Sequence, residues 1–299
     1  MSTHTPAIEL TNLVRRYGRT DAVNGLSLRV EPGRCYGFFG RNGAGKTTTI
    51  KCLLNLLRPT SGAVRVFGLD PMRDEVAVKS RIAYVPDQIA FYPWMTVQSA
   101  LDYLASFRPR WNEDIERTLI SRFGLDRRQK TDALSKGQRT QLALIAAVCP
   151  EPDLLILDEP TSGLDPIVRR DFIRAVIGAY HEGDHSRTVF VSTHLISEFE
   201  GLIDRFTIID QGREVLTLDA DEARAQFQKV QARFDGPAPA VTLPDAQVRR
   251  SGRDLEVVVR RDADRAIEAL RTRGAAVTAE ALSLEEIFVA TLAPESSAV

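Results

Sequence analysis

The stretch GRNGAGKT, from Gly40 to Thr47, has residue types and a spacing suited to binding phosphate. It fits the pattern G-x-x-x-x-G-K-[ST], follows the apolar run RCYGFF and precedes a predicted helix. Glycines let backbone N–H groups close around phosphate oxygens, and the helix N-terminus adds its positive end. We expect Lys46 to reach the terminal phosphates and the Thr47 hydroxyl to contact Mg²⁺. The nucleotide-binding residues predicted in this loop are Gly40, Asn42, Gly43, Ala44, Gly45, Lys46, Thr47 and Thr48.

Two acids follow the apolar run LLIL, at Asp158 and Glu159. An acid just past a buried strand lies at the carboxyl edge of the sheet, where ligands bind in open α/β folds. We expect Asp158 to hold Mg²⁺ through water and Glu159 to polarise the attacking water. The alternative is a pair of helix-capping acids on a surface loop.

His194 ends a second strand of this type, VSTH, and is expected to contact the terminal phosphate and position water. A purely structural histidine is the alternative. His4, His181 and His185 are interpreted as solvated. Tyr17 lies upstream of the phosphate loop, and an exposed aromatic there could stack on adenine; a tyrosine of the core or of a sheet edge is the alternative.

A second anion-binding segment, LSKGQ, runs from Leu134 to Gln138. If it lies at the tip of a helical lobe that faces away from the phosphate loop, it cannot bind the same nucleotide. A second subunit related by a two-fold axis brings its own copy over Lys46 and forms two equal composite sites. Ser135, Gly137 and Gln138 would then contact the partner's ATP from a helix N-terminus. The alternative is a serine-capped helix start.

Composition excludes several classes of protein. The net charge is −1 and the arginines form no stripe, so nucleic-acid binding is not expected. The longest apolar run, LALIAAVC, has eight residues, whereas a spanning helix needs about 20. The N-terminus does not resemble a secretory signal. Three dispersed cysteines indicate a reducing compartment, where they act as small apolar residues.

The predicted elements form an α/β fold. Short apolar strands alternate with helices, which predicts a parallel sheet covered on both faces. Residues 8 to 39 are predicted to form mostly strands. A helix after the loop should carry the stripe Ile50, Leu53, Leu54 and Leu57 and end at Pro59 to Gly62. ISEFEGLI is predicted as a short helix. We predict an ATPase domain over 1–218 with a helical lobe at about 96–149.

Residues 219–299 are predicted to form an accessory α+β module. Its strand DLEVVVR is followed by a helix with Asp262 as cap and Gly274 as stop. Ser283 and Glu286 have capping-box spacing before a last helix. No catalytic motif lies in this module.

Together, these motifs resemble an ABC-type ATPase subunit over about residues 7 to 217. The resemblance includes Tyr17, the phosphate loop, LSKGQ, LLILDEP, the SGLD segment that ends at Asp165, and the STH that ends at His194. It implies a P-loop ATPase fold with an antiparallel β subdomain, dimerisation around two ATP molecules, and a nucleotide contact from Asp165. The ending SLEEIF is similar to that of ATPases of bacterial ABC-2-type exporters.

Two positions depart from the family pattern. The signature is usually LSGGQ, whereas this chain has Lys136 at the third position, where the added cation is placed to face phosphate. The family's lid glutamine usually lies six residues before the proline of a YPxxTV-like segment, and six before Pro93 is Asp87. We therefore expect Asp87 to face Mg²⁺ and the attacking water; the alternative is that Gln88 takes this role.

The resemblance implies an exporter subunit that works with a second ATPase subunit and a separate transmembrane permease. Such a subunit would lie in the cytoplasm, on the inner face of the membrane. The segment from Phe91 to Arg110, with Tyr92 and Trp94, would receive the permease; packing of these aromatics within the lobe's own core is the alternative. A soluble ABC ATPase, for example of the cluster-assembly type, is the second functional class.

Overall fold

The computed structural model describes residues 5–181, 187–241, 243 and 246–293. His4 and His185 lie outside these residues, as does the side chain of His181. The chain divides into two compact units, Met1–Glu214 and Val215–Val299. The predicted boundary, between residues 218 and 219, lies four residues after the one between these units.

The first unit opens with a three-stranded sheet of order β2-β1-β4. β1 pairs antiparallel with both neighbours, through register shifts near Leu13. Apolar side chains on one face of these strands join a buried core that includes Ile8, Val64 and Ile50. This sheet therefore gives the expected antiparallel subdomain. Its strands are β1 (Ile8–Tyr17), β2 (Thr20–Val30) and β4 (Ser61–Val66).

A six-stranded sheet of order β5-β6-β7-β3-β8-β9 follows, and most of its last strand, β9, lies beyond Glu214. Pairing is parallel from β5 through β6, β7 and β3 to β8. β3, β6 and β7 are buried along their whole length, which explains their continuous apolar runs. The strands are β3 (Cys35–Gly40), β5 (Ile82–Val85), β6 (Leu154–Asp158), β7 (Thr188–Thr193), β8 (Arg205–Asp210) and β9 (Arg213–Asp219).

The order of the strands brings three motifs together. β3 and β6 are far apart in sequence, yet both pair with β7. Asp158 is in register with Ser192, and Phe39 with Thr193. Because parallel strands end at one edge of a sheet, the phosphate loop, the acid pair and His194 meet at the same edge.

Two helix predictions were wrong in extent. The helix after the loop, α1 (Lys46–Leu53), ends before Leu57, because Asn55 adopts a left-handed φ of 55° and the N–H of Leu56 bonds to the Lys51 carbonyl. Asparagine tolerates this conformation, which glycine more often adopts at helix C-termini. The predicted helix ISEFEGLI is only a 3₁₀ turn, Ile196–Glu198. The other helices around this sheet are α2 (Glu75–Arg81) and α6 (Pro166–His181).

The helical lobe contains three α-helices and one 3₁₀ turn. Each α-helix begins at a side-chain cap, from Thr96, Asn112 and Ser135 respectively. Buried Glu116 accepts hydrogen bonds from Trp111 Nε1 (2.7 Å) and Arg127 Nη1 (2.6 Å), so its charge is compensated. The elements are α3 (Val97–Ala105), α4 (Glu113–Phe123), the 3₁₀ turn Thr131–Ala133 and α5 (Lys136–Val148).

The second unit is an antiparallel sheet of order β11-β12-β10-β13 with helices. Its core includes Val230, Leu255 and Leu270. The Ser283–Glu286 capping box is present, whereas the predicted side-chain cap from Asp262 is absent because that residue lies at φ 57° and offers only its carbonyl. The elements are α7 (Ala220–Gln226), β10 (Gln228–Arg233), β11 (Ala246–Ser251), β12 (Asp254–Val259), α8 (Ala263–Arg271), β13 (Ala276–Ala281) and α9 (Leu284–Leu292).

The three cysteines, Cys35, Cys52 and Cys149, are free and buried. Burial raises the pKa of Cys149 to about 12 and also raises that of Cys35. They therefore pack as small apolar side chains and hold their protons at neutral pH.

Candidate functional site

The phosphate loop joins β3 to α1 and is shaped by close backbone approaches. A Cβ at Gly45 would lie 2.4 Å from the carbonyl oxygen of Ala22, and Gly45 has φ 106°. A Cβ at Gly40 would lie 2.8 Å from the carbonyl oxygen of Ile209. No other residue fits these two positions without moving the backbone. Ala44 is buried, while Asn42 and Gly43 are exposed at the tip.

Lys46 is almost fully buried, with 6% of its surface exposed. Its Nζ donates hydrogen bonds to the carbonyls of Gly40 (2.7 Å) and Arg41 (3.3 Å), and lies 3.0 Å from Glu159 Oε1. The ammonium is thus held over the loop by backbone oxygens and one carboxylate. Thr47 and Thr48, the next two residues of α1, are half-buried.

Asp158 is fully buried at the end of β6. Its Oδ1 accepts a hydrogen bond from Ser192 Oγ (3.0 Å), and its Oδ2 has no hydrogen-bond partner among the described residues. Burial raises the pKa of Asp158, an effect that the hydroxyls of Thr47 and Ser192 oppose. A buried carboxylate oxygen without a partner, beside a hydroxyl, is a donor set that suits a hard divalent cation such as Mg²⁺.

Glu159 lies between two groups of the site. Besides Lys46 at Oε1, its Oε2 lies 2.8 Å from His194 Nδ1 and accepts a 3.3 Å hydrogen bond from Thr193 Oγ1. Its backbone has a φ of 47°, a conformation that residues other than glycine adopt at a cost in free energy. The carboxylate is therefore aimed by a strained backbone at the strand end where Lys46 and His194 converge.

The two lid candidates, Asp87 and Gln88, are both exposed after β5. Burial, and then the nearby Asp158 and Asp87 carboxylates, raise the pKa of Tyr84. The Asp87 carboxylate therefore acts electrostatically on Tyr84, whose pKa the Asp158 carboxylate also raises. The choice between Asp87 and Gln88 stays a prediction.

The signature residues cap their own helix. Ser135 Oγ accepts from the N–H of Gln138 (3.1 Å), and Gln138 Oε1 accepts from the N–H of Ser135 (3.0 Å). The alternative of a serine-capped helix start is thus present, as a full capping box with Gln138, and Ser135 is exposed at the start of α5. Lys136 Nζ donates to the carbonyl of Ser162 (2.6 Å). The contact of Lys136 with phosphate stays a prediction.

Asp165 also serves as a cap. Its Oδ1 accepts from the N–H groups of Ile167 and Val168, both at 3.1 Å, at the start of α6. Arg169, in the first turn of that helix, donates to the carbonyl of Leu164 (3.0 Å) and pairs with Glu198 (2.6 Å), four residues after His194. The loop before α6 is thus tied to the segment that follows His194.

Tyr17 ends β1 with 45% of its surface exposed, and Arg15 stacks 4.6 Å from its ring centroid. The core alternative is wrong for this residue. The stacking on adenine stays a prediction.

Sequence reasoning missed Ser192, Thr193 and Tyr84. Ser192 and Thr193 precede His194 in the motif VSTH, but only the parallel register of β6 and β7 shows that they reach Asp158 and Glu159. Tyr84 lies in an apolar strand and carries no motif signal. A parallel sheet that presents a glycine-rich loop, a buried carboxylate and a histidine at one edge defines a P-loop ATPase.

The comparisons with known proteins agree. Residues 23–162 match the ABC transporter family. The bacitracin transport ATP-binding protein BcrA of Bacillus licheniformis is 34% identical over 224 residues, which cover 74% of this chain and 72% of BcrA. The daunorubicin/doxorubicin resistance ATP-binding protein DrrA of Streptomyces peucetius is 36% identical over 275 residues, which cover 87% of this chain and 79% of DrrA. The chain belongs to the ABC transporter ATP-binding family and is an ATP-binding ATPase.

Solved structures share the fold. An ATP-binding subunit of an ABC transporter has a TM-score of 0.67 at 27% identity and covers 74% of this chain and 92% of its own. The ATP-binding cassette MJ0796, in a dimeric post-hydrolysis state bound to ADP and Pi, has a TM-score of 0.63 at 20% identity. The match covers 71% of this chain and 98% of the MJ0796 chain. The predicted α/β ABC ATPase fold is confirmed.

Proposed function

We propose that this chain is the ATP-hydrolysing subunit of an exporter, pairs with a second ATPase subunit, and drives a separate transmembrane permease. The observation that carries the catalytic part is the placement of Glu159 between Lys46 and His194, beside the buried Asp158. BcrA and DrrA, whose names state bacitracin transport and daunorubicin/doxorubicin resistance, support an exporter. In this proposal residues 1–218 hydrolyse ATP and residues 219–299 are accessory.

Each site residue has a role in this proposal. Lys46 and the loop N–H groups hold the phosphates, and Tyr17 stacks on adenine. Glu159 accepts the proton of the attacking water, while His194 orients the terminal phosphate. Asp158, with the Thr47 hydroxyl, would hold Mg²⁺, which supplies positive charge against the phosphates. Asp87 would face this cation from the lid.

The signature acts on the partner's nucleotide. Ser135 and the N–H of Gly137 lie at an exposed helix start, and backbone N–H groups at such a position attract anions. When ATP is hydrolysed, these contacts are lost and the dimer opens. Asp165 contributes a further contact near the nucleotide.

An apolar groove supports docking of a permease. It has a volume of about 770 Å³ and is lined in part by Leu54, Leu56, Val76, Leu104 and Phe107. Val76 is 84% exposed and Phe107 68% exposed. Monomeric soluble proteins seldom expose so many large apolar side chains together.

Stacked aromatics extend this surface. Tyr92 and Trp94 have ring centroids 4.8 Å apart, Tyr103 meets Tyr92 edge-on at 6.1 Å, and Phe107 meets Tyr103 at 5.0 Å. Trp94 is 67% exposed, so the alternative that it packs within the lobe's core is wrong. A short amphipathic helix from the cytoplasmic side of a membrane protein fits a groove of this size and character.

Among the described residues, no helix has both the length and the apolar character needed to span a bilayer. We propose that the chain lies on the inner face of the membrane, bound to its permease.

Co-expression tests this proposal. The chain would be produced together with a candidate permease, chosen as a neighbouring gene product with about six apolar segments of 20 residues, and membranes would be isolated. We expect wild type to co-purify with that protein and Phe107→Ser to lose it while keeping ATPase activity. Val289→Ser, at an exposed valine of the second unit, is the matched control. An ATPase that never associates with the membrane protein would favour the soluble, non-transport class.

A further inference from the structure

Lys136 occupies the position where related signatures usually carry glycine, and its side chain reaches the loop before α6. Its Nζ donates to the Ser162 carbonyl at 2.6 Å. Hydrogen bonds from charged donors are stronger than neutral ones, and this one joins two segments 26 residues apart. Lys136 therefore links the signature to the loop from Ser162 to Asp165.

The surrounding residues leave room for this contact. A Cβ at Gly163 would lie 2.7 Å from the Lys136 ammonium, so a side chain at this position would displace it. A Cβ at Gly137 would lie 3.2 Å from Val168 Cγ1, which shows how closely the first turn of α5 approaches the first turn of α6. The start of α5 and the segment from Ser162 to Val168 are thus packed together.

The other end of this loop leads to Glu159. The N–H of Ser162 donates to the Glu159 carbonyl at 3.2 Å and closes a turn. Glu159 holds its left-handed φ of 47° within this turn. The carbonyl that Lys136 binds and the N–H that closes the turn at Glu159 thus belong to the same residue, Ser162.

We propose that Lys136 is a positioning residue that couples the signature to Glu159 of the same chain. The inference rests on the proposed function, in which the signature binds the partner's ATP and Glu159 serves the chain's own ATP. A displacement of the first turn of α5 by phosphate moves the Lys136 ammonium, the Ser162 carbonyl and the strained turn at Glu159. Occupancy of one composite site is thereby sensed by the general base of the other.

Three variants of the full chain test this inference. Lys136→Met keeps the length of the side chain without its charge, Lys136→Arg keeps a cation, and Lys130→Met removes an exposed lysine elsewhere in the same lobe. For Lys136→Met without nucleotide we expect faster hydrogen exchange of the amides from Ser162 to Asp165. We also expect kcat to fall about three- to tenfold while the KM for ATP stays within about twofold. Lys136→Arg should restore both, and Lys130→Met should match wild type.

Unchanged exchange or unchanged kcat in Lys136→Met overturns the inference, as does a failure of Lys136→Arg to restore them. The exchange measurement needs neither ATP nor a dimer, so it separates this inference from the proposed function. If exchange is faster but subunit mixing shows that the signature does not act on the partner, Lys136 positions only its own Glu159 and the coupling is overturned.

Discussion

The ammonium of Lys46 lies 3.0 Å from Oε1 of Glu159, so the cation expected to bind phosphate and the carboxylate expected to activate water are paired with each other. Both side chains are largely buried, with 6% and 12% of their surface exposed. Phosphate that approaches Lys46 competes with this carboxylate. We therefore propose that binding of ATP exchanges the partner of Lys46 and frees Glu159 to turn toward water.

Glu159→Gln should slow ATP hydrolysis by at least about 100-fold, because an amide cannot accept the proton of water. The same change should tighten ATP binding, since Lys46 loses its ionic partner. Turnover and the Kd for ATP would be measured on the purified chain, with Glu113→Gln, at an exposed acid of α4, as the control. Wild-type turnover in Glu159→Gln would refute the assigned role.

Mixed subunits test whether the signature acts in trans. Gly137→Asp places a carboxylate where phosphate is expected, and Lys46→Ala removes ATP binding. A mixed dimer has one composite site with both defects and one with neither. We expect each variant alone to be inactive and the mixture to recover up to about half of wild-type activity per mixed dimer. Complete inactivity, with mixed dimers shown by light scattering, would contradict the trans arrangement.

Asp87 is predicted to act at the lid rather than Gln88. A carboxylate about 4 Å from a phosphate charge costs on the order of 4 kcal/mol at an effective dielectric of 20, so Mg²⁺ must offset it. The ATPase rate of wild type should therefore depend steeply on Mg²⁺ concentration, and Asp87→Ala should weaken this dependence more than Gln88→Ala does. Measurement of ATPase rates against Mg²⁺ concentration distinguishes the two lid residues. A larger loss of ATPase rate in Gln88→Ala than in Asp87→Ala would assign the role to Gln88.

Glu286 should contribute to the stability of α9 only above acidic pH. A hydrogen bond from Lys229, and then one from the Ser283 backbone, lower the pKa of Glu286. A lowered pKa adds stability above the unfolded-state pKa, near 4.5, and this stability is lost as pH falls through the folded-state pKa. The side chain is 44% exposed, so the contribution is below about 1 kcal/mol.

Glu286→Gln retains the capping geometry and removes the charge. We expect faster hydrogen exchange of the α9 amides at pH 7 and a difference from wild type in thermal stability that diminishes as the pH falls below the unfolded-state pKa, near 4.5. Glu285→Gln, at the exposed neighbouring acid, is the control and should show neither effect. A difference that does not diminish as the pH falls from 7 into the acidic range would show that charge is not the cause.

The sequence was sufficient for residues whose chemistry is encoded locally. The spacing of Gly40, Gly45 and Lys46 specifies the phosphate loop, because the backbone approaches at both glycines exclude a Cβ. Asp158 and His194 could be placed at one sheet edge because both follow apolar strands. The Ser283–Glu286 box was likewise visible as a spacing and is confirmed.

Contacts between distant segments could not be predicted in this way. The bond from Lys136 to Ser162 depends on how closely α5 and α6 pack, which no local pattern reports. Ser192 reaches Asp158 only because β6 and β7 pair in that register. The end of α1 was misplaced because Asn55 takes a left-handed conformation that the sequence marks less clearly than glycine would.

The burial of Cys35, Cys52 and Cys149 gives the chain an internal chemical reporter. A thiolate, not a thiol, reacts with alkylating reagents, and these thiols are both protonated and shielded in the folded state. Their labelling rate at neutral pH therefore follows opening of the first unit, with and without ATP. A new surface cysteine, placed for example on the groove, would react selectively against this silent background.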